Sequence, residues 1–134
     1  MIITPYSTPN LIGEFRIPVP LQNRVFKSYC EENRLTSTIP VSEIFGEGRY
    51  TELNSLLRSI PSGQGILFSS AETIFHLPED CMRLFNETVF RGIDTHFILE
   101  RFVLTSENLA VLEDVKKIRA LSVNSLDVLR QYCL

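Results

Sequence analysis

The sequence has no tryptophan, no run of lysine and arginine, and no long apolar stretch, and its formal net charge is −3. Binding to nucleic acid phosphates requires clustered cations, so this composition argues against a nucleic acid partner, although a local basic patch stays open. A membrane span requires roughly 20 consecutive apolar residues. The N-terminus also lacks a basic segment followed by an apolar one. We therefore predict a cytoplasmic protein without a membrane partner.

The sequence also lacks the common cofactor and metal motifs. Gly46-x-Gly48 and Gly63-x-Gly65 lack the further glycine or lysine of a phosphate-binding loop and are better interpreted as turns. There is no HExxH motif, so we predict no cofactor and no metal site. The cysteines, Cys30, Cys81 and Cys133, are far apart and form no CxxC pair, which predicts reduced thiols in or near the core.

Residues 15–35 form the segment around which the rest of the chain is organised. Residues 1–10 contain two prolines and several small polar residues, which indicates an irregular N-terminal arm. Residues 11–17 are predicted as the first strand. Pro18 and Pro20 have no N–H for strand pairing but are tolerated where a helix begins. The following helix carries an apolar stripe that we expect to be buried: Leu21, Val25, Phe26, Tyr29 and Cys30.

Strands and helices then alternate. The pattern predicts an extended segment over 36–45 interrupted by Pro40, a helix over 49–60, a buried strand over 65–70, a helix from Pro78 to Gly92, a strand over 95–102 and C-terminal helices over 105–134. This alternation predicts a single α/β domain over residues 1–134. Its three layers comprise a mostly parallel sheet of four or five strands with helices on both faces.

Ligands of such sheets bind at the carboxyl ends of the strands. The predicted strand and helix ends bring together seven polar side chains. His96, Glu100 and Glu43 are the candidate catalytic residues, and Arg16, Gln22, Asn23 and Ser69 are the candidate ligand-binding residues. An arginine, carboxylates, a histidine and amides would suit a sugar or sugar phosphate, with His96 or Glu100 as proton carrier.

Each candidate also has a structural interpretation. A strand histidine is more often structural than catalytic, and Glu100 would lie about 13 Å along the same strand face from His96. The natural partner of Glu100 is Arg16. Ser69 would need a base to act as a nucleophile. The two helix amides are more readily interpreted as caps of backbone groups than as groups that bind a ligand at the start of the helix.

Phe15-Arg16-Ile17-Pro18 followed by Gln22, the glycine loop before Arg49, and the segments 65–68 and 97–100 resemble the catalytic domain of serine recombinases, the resolvase and invertase enzymes. The resemblance covers residues 11–120 and implies a resolvase-like fold. It places Pro18 where that family has its nucleophilic serine, and residues 69–73 where it has an arginine-rich segment. The resemblance therefore implies the fold without DNA strand transfer.

A second set of short motifs gives a closer resemblance to another family. The motifs are Arg16-Ile17-Pro18, Gln22-Asn23 and Ser28-Tyr29-Cys30, with later pieces at Ser42-Glu43, Gly65-Ile66 and Ser69, Leu77-Pro78 and His96-Phe97 with Glu100. That family is the sporadic carbohydrate cluster family, small proteins encoded beside bacterial surface-polysaccharide genes. The resemblance covers residues 12–104, departs over 45–50, and has Phe68 where that family tends to have tyrosine. It implies a role in surface-carbohydrate biosynthesis without naming a reaction.

Two hypotheses follow. The first is a small enzyme or accessory subunit of surface-carbohydrate biosynthesis that binds a sugar-derived polar ligand at the carboxyl edge of the sheet. The second is a catalytically inactive recombinase-like module that acts through protein contacts, with DNA contacts ranked lower. The apolar final helices would suit a homo-oligomer interface. The sequence does not decide whether the protein is an enzyme.

Overall fold

The computed structural model describes residues 1–12, 15–44 and 48–117. In chain order these residues form β1 (Ile2–Ser7), α1 (Val19–Glu32), β2 (Thr36–Ser37), β3 (Val41–Ser42), α2 (Thr51–Ser59), β4 (Gly65–Phe68), α3 (Glu72–Phe75), α4 (Glu79–Phe90), β5 (Asp94–Phe97), β6 (Phe102–Leu104) and a last helix over 111–117.

The strands form one mixed sheet in the order β2-β1-β4-β5-β6, and β3 also pairs with β1. All pairings are parallel except that of β5 with β6. The mostly parallel α/β architecture is thus confirmed, with six strands where four or five were predicted. β1 lies where the strand order reverses, because α1 leads to β2 on one side of it and α2 leads to β4 on the other.

Helices cover both faces of the sheet. One apolar cluster joins α2 and α4 to Phe68, and a second joins α1 to Leu67. These two residues are neighbours in β4, and successive side chains of a strand point to opposite faces. The clusters therefore lie on opposite sides of the sheet.

The prediction of an irregular arm over residues 1–10 is wrong, because residues 2–7 form β1, which has partners on both sides. The carbonyls of Ile3 and Ser7 accept hydrogen bonds from the β2–β3 side. By the alternation of a strand, Pro5 faces that same side, at the gap between β2 and β3. Its missing N–H leaves no ladder bond unmade there, so a proline is tolerated in a central strand.

Two other predicted strands are also wrong in extent. Of the strand predicted over 11–17, the described residues 11–12 and 15–17 lie in the loop between β1 and α1, where Ile12 and Phe15 form an isolated antiparallel bridge. Residues 95–102 are divided into β5, a turn and β6, and Arg101 in that turn has a φ of 52°. Glu100 is therefore in a turn and not on the same strand face as His96.

The helices between residues 49 and 92 follow the sequence pattern. The inner residues of α2, Leu53, Leu56 and Leu57, are buried as predicted. Pro78 precedes α4 and Gly92 follows it with a φ of 102°. The C-terminal helices predicted over 105–134 are observed only at 111–117. Residues 105–110 form turns and a bend where a helix was predicted, and residues 118–134 lie outside the described part of the chain.

Candidate functional site

The loop between β1 and α1 is held at both ends by one buried amide. Gln22 is 2% exposed. Its Oε1 accepts a hydrogen bond from the N–H of Thr8 at 3.1 Å, and its Nε2 donates to the carbonyls of Thr8 and Ile17 at 2.7 Å each. Gln22 therefore holds the two ends of the loop, at Thr8 and Ile17, against the start of α1, which is a structural role.

A second amide attaches this loop to the start of the α2 segment. Asn10 donates from Nδ2 to the carbonyl of Arg49 at 3.0 Å, and its Oδ1 accepts from the N–H of Gly48 at 3.0 Å. Beyond Asn10, Ile12 and Phe15 form an antiparallel bridge. These contacts place Phe15 and the following residues at the carboxyl edge of the sheet.

An open groove of about 790 Å³ lies at this edge, and we call it the edge groove. The loop before α1, one side of α1 and the segments that follow β4 and β5 form its walls. Its lining residues are Ile12, Phe15, Arg16, Ile17, Pro18, Leu21, Gln22, Val25, Ser69, Ser70, Glu72, Ile98 and Leu99. Most are apolar. The volume falls in the range of about 300–1,000 Å³ that is usual for small-molecule sites.

The segments after β4 and β5 stay paired beyond the strands. Ile98 donates its N–H to the carbonyl of Phe68 at 3.1 Å, and Leu99 donates to the carbonyl of Ser69 at 3.0 Å. These bonds set Ile98 and Leu99 beside Ser69 at the groove. The carboxyl edge is thus where the groove lies, as the topological rule for parallel sheets predicts.

Arg16 is exposed at the groove, and its Nη1 donates a long hydrogen bond to the carbonyl of Pro9 at 3.4 Å. It forms no ion pair with any residue that the structure describes, so its predicted pairing with Glu100 is wrong. Ser69 also lines the groove, and its buried Oγ has no hydrogen-bond partner in the described part of the chain.

The carboxylate of Glu100 is hydrogen-bonded at the start of α3. Its Oε2 accepts a hydrogen bond from the hydroxyl of Ser70 at 2.8 Å, and its Oε1 accepts from the N–H of Ala71 at 2.9 Å. The Oγ of Ser70 accepts in turn from the N–H of Glu72 at 3.1 Å. Both groups therefore organise the turn beside the groove, and Glu100 itself is not among the lining residues.

Glu43 lies on the other side of the sheet, at the start of α2. The side chain is 5% exposed. Its Oε2 accepts hydrogen bonds from the hydroxyl of Tyr6 at 2.6 Å and the N–H of Leu53 at 3.0 Å, and its Oε1 accepts from the N–H of Glu52 at 2.9 Å. Burial, followed by the bond to Glu43, raises the pKa of Tyr6. The carboxylate caps free N–H groups of α2.

His96 lies on the α1 face of β5 and outside the groove lining. Its Nδ1 is 2.7 Å from the hydroxyl of Tyr29, and the rings meet edge to face. Burial lowers the pKa of His96, and burial raises the pKa of Tyr29. Asn23 lines a separate cavity of about 370 Å³, together with Phe26 and Cys30.

The seven predicted site residues are therefore not all in one place. Arg16, Gln22 and Ser69 line the edge groove, while Glu43, His96 and Asn23 lie elsewhere and Glu100 lies beside it. Their catalytic and binding roles remain predictions.

The apolar side of the site was not predicted from the sequence. Leu21 and Val25 were expected in the core, but both are exposed and line the groove. The signal was present on α1, because Leu21 and Val25 form one i, i+4 stripe and Phe26 and Cys30 another. The second stripe is the buried one.

Among the described residues, no group of three or more His, Cys, Asp and Glu side chains is placed to hold a metal ion. Cys30 and Cys81 are buried free thiols, as predicted, and Cys133 lies outside the described residues. No helix in the part of the chain that is described is long and apolar enough to cross a membrane.

The fold is that of a serine recombinase catalytic domain. The chain is similar to the N-terminal catalytic domain of TP901-1 integrase, with a TM-score of 0.56 and 12% identity over 87% of this chain and 96% of that one. It is also similar to a resolvase family site-specific recombinase from Streptococcus pneumoniae, with a TM-score of 0.51 and 14% identity over 94% of this chain and 93% of that one. No protein-family model and no curated protein matches the sequence.

These comparisons support the recombinase resemblance at the level of the fold, and they give no support to the carbohydrate cluster resemblance. The structure also shifts the strand on which the first resemblance was based, because β1 ends at Ser7 and not at residue 17. The hydroxyl of Ser7 is buried and hydrogen-bonded to that of Ser42. Pro18 stands immediately before α1.

Proposed function

We propose that the protein is a non-catalytic binding module with the recombinase catalytic-domain fold, and that the edge groove is its ligand site. The groove itself carries this proposal. It lies at the carboxyl edge beside the point where the strand order reverses, which is where open α/β sheets bind their ligands.

The polar groups of the groove argue against DNA strand transfer. Arg16 is the only cationic side chain among the described lining residues, whereas stabilising a phosphoryl transition state takes several preorganised cations or donors. The hydroxyl of Ser70 is bonded to Glu100, and neither Ser69 nor Ser70 is hydrogen-bonded to a described histidine. A serine without a base is a weak nucleophile.

The carbohydrate context suggested by the sequence remains a proposal about the ligand. Arg16 and Ser69 are the groups that would contact a sugar-derived ligand in the groove. Because most of the wall is apolar, such a ligand would also need an apolar part.

Protein contact is a second candidate function, and the groove rim favours it. Phe15 is 72% exposed and Leu99 is 74% exposed. Large apolar side chains that are contiguous on a surface mark contact sites more often than isolated ones do. Sedimentation of the wild-type protein and of Phe15→Ser and Leu99→Ser would test self-association. A monomer at all concentrations would remove homo-oligomerisation through this rim.

A thermal-shift panel tests the main proposal. A ligand that binds only the folded state raises the melting temperature with its concentration over Kd. The panel holds sugar phosphates, nucleotide sugars, alkyl amphiphiles and a short DNA duplex. We expect a shift that is lost in Val25→Glu, in the groove, and kept in Ile39→Glu, since Ile39 is exposed and is not among the lining residues. Shifts only with the duplex, or shifts that Val25→Glu leaves intact, would contradict the proposal.

A further inference from the structure

We infer that the edge groove binds an anionic amphiphile, a single hydrocarbon chain that ends in a phosphate or carboxylate group. This inference rests on the proposed function, because it names the ligand class of the same groove. Three features of the groove carry it: an apolar lining, one cation without an ion-pair partner among the described residues, and a buried hydroxyl without a hydrogen bond to any described residue.

The apolar strip comprises residues of α1 and of the segment after β5. Leu21 and Val25 lie one helical turn apart on α1, and Ile98 and Leu99 line the same groove. From Pro18 to Val25 the helix axis advances about 10 Å. Isolated exposed apolar residues are normal on a protein surface, but apolar residues that line a single concave groove are not. The strip provides the surface that a hydrocarbon chain would cover.

Arg16 and Ser69 are the polar groups of the groove that remain available to a ligand. Arg16 forms no ion pair with a described residue and keeps at least four of its five N–H donors for a ligand. Ser69 lines the same groove with a hydroxyl that has no described partner. An oxyanion accepts hydrogen bonds and has no proton to give, so it matches an arginine better than a neutral head group does.

Glu72 is the one acidic side chain among the described lining residues. Its Oε2 is buried and lies 3.6 Å from Nε2 of His76. The carboxylate is thus directed to the residue that follows α3. If its charge still weakens binding of an anion, Glu72→Gln will tighten that binding.

The other polar groups of the groove are already used, which argues against a bare sugar. Gln22 makes three hydrogen bonds to the loop, and Ser70 is bonded to Glu100 and to the N–H of Glu72. A sugar presents many hydroxyl groups and loses affinity when they are left unpaired. A hydrocarbon chain with one charged end requires no more than the groove offers.

Isothermal titration calorimetry with a matched set of probes below their micelle concentrations tests this inference. The set is octyl, decyl and dodecyl phosphate, decanoate, decyl maltoside with its neutral head, and inorganic phosphate. We expect the phosphates and decanoate to bind, decyl maltoside to bind at least tenfold more weakly, and inorganic phosphate to give no heat. Each methylene that enters the groove should lower Kd by about fourfold, equivalent to about 0.8 kcal/mol.

Variants separate the head from the chain. Arg16→Gln should raise Kd for decyl phosphate about tenfold to hundredfold and leave decyl maltoside unchanged. Arg24→Gln is the matched control, because Arg24 is exposed on α1 and does not line the groove. Val25→Ser should weaken both alkyl probes. Equal loss in the two arginine variants would mean a general charge effect and would overturn the inference.

The outcomes also separate the ligand class from the proposed function. Equal binding of decyl maltoside and decyl phosphate, or an Arg16→Gln variant that binds as the wild type does, would overturn the anionic class and keep a ligand site in the groove. Absence of heat with every probe would overturn the anionic class. If no member of the thermal-shift panel raises the melting temperature either, the proposed function is also contradicted.

Discussion

Replacing Glu43 by alanine tests whether this carboxylate stabilises the fold or is free to take part in catalysis. The variant removes the acceptor for the hydroxyl of Tyr6 and for the N–H groups of Glu52 and Leu53. Loss of a helix cap costs about 0.5–2 kcal/mol. A buried hydroxyl left without a partner costs about 1–3 kcal/mol more. We expect a total of about 3 kcal/mol.

Thermal and urea unfolding followed by circular dichroism measure this loss. At this chain length, 1 kcal/mol corresponds to about 3–5 °C in Tm, so Glu43→Ala should melt about 10 °C below the wild type. Glu43→Gln keeps one carbonyl acceptor and should lose about 1–2 kcal/mol. A catalytic carboxylate without a structural role would show neither loss.

A double-mutant cycle with Tyr6→Phe makes the test specific. Once the tyrosine hydroxyl is absent, Glu43→Ala no longer leaves it unpaired. The double variant should therefore be less destabilised than the sum of the single variants, by about 1–2 kcal/mol. Additive effects, or a Tm for Glu43→Ala within about 2 °C of the wild type, would refute the reasoning and return Glu43 to the list of groups free for catalysis.

Three further predictions concern other buried groups. Gln22→Leu leaves three backbone groups of the β1–α1 loop unpaired and should lower the free energy of unfolding in urea by about 2–4 kcal/mol. An unchanged urea midpoint would contradict the structural role of Gln22. Burial lowers the pKa of His96 below its usual 6.5, so its contribution to stability is present above pH 6.5 and is lost as the pH falls toward the folded-state pKa; wild type should lose more stability than His96→Gln between pH 7 and 5, and equal slopes would contradict this. Burial raises the pKa of Cys30, and raises that of Cys81 to about 11, so in a Cys133→Ser background both thiols should react with a disulfide reagent at pH 8 only after unfolding, and fast labelling of the native protein would oppose that expectation.

Helices with strong local signals were predictable from the sequence. In α2, apolar residues recur at helical spacing and Pro61 follows, and in α4, Pro78 precedes two acidic residues. Such signals lie within a few residues of the element they define, so they survive folding unchanged. The short apolar strand β4 was predictable for the same reason.

The central strand was not predictable in this way. Pro5 and the polar residues around it resemble an irregular segment, and only the gap between β2 and β3 makes a proline acceptable at that position. The turn before β6 escaped notice because Arg101, and not a glycine, adopts the positive φ.

The location of the candidate site was predictable from the sequence, but the residues that line it were not. The rule for parallel sheets brought Arg16 and Ser69 to the correct edge. It could not show that His96 pairs with Tyr29, since the sequence separates them by 67 residues. Nor could it show which of two apolar stripes on α1 is buried, because both fit a helix equally well.

The sequence by itself determined that strands and helices alternate, that they form a mostly parallel α/β sheet, and that lysine and arginine form no run along the chain. These properties follow from composition and short-range periodicity. The tertiary structure decided which strand is central, that Glu43 caps α2, and that the α1 stripe of Leu21 and Val25 opens onto a groove. Each of these depends on contacts between residues far apart in the chain, and a partner's position is defined only once the sheet has assembled.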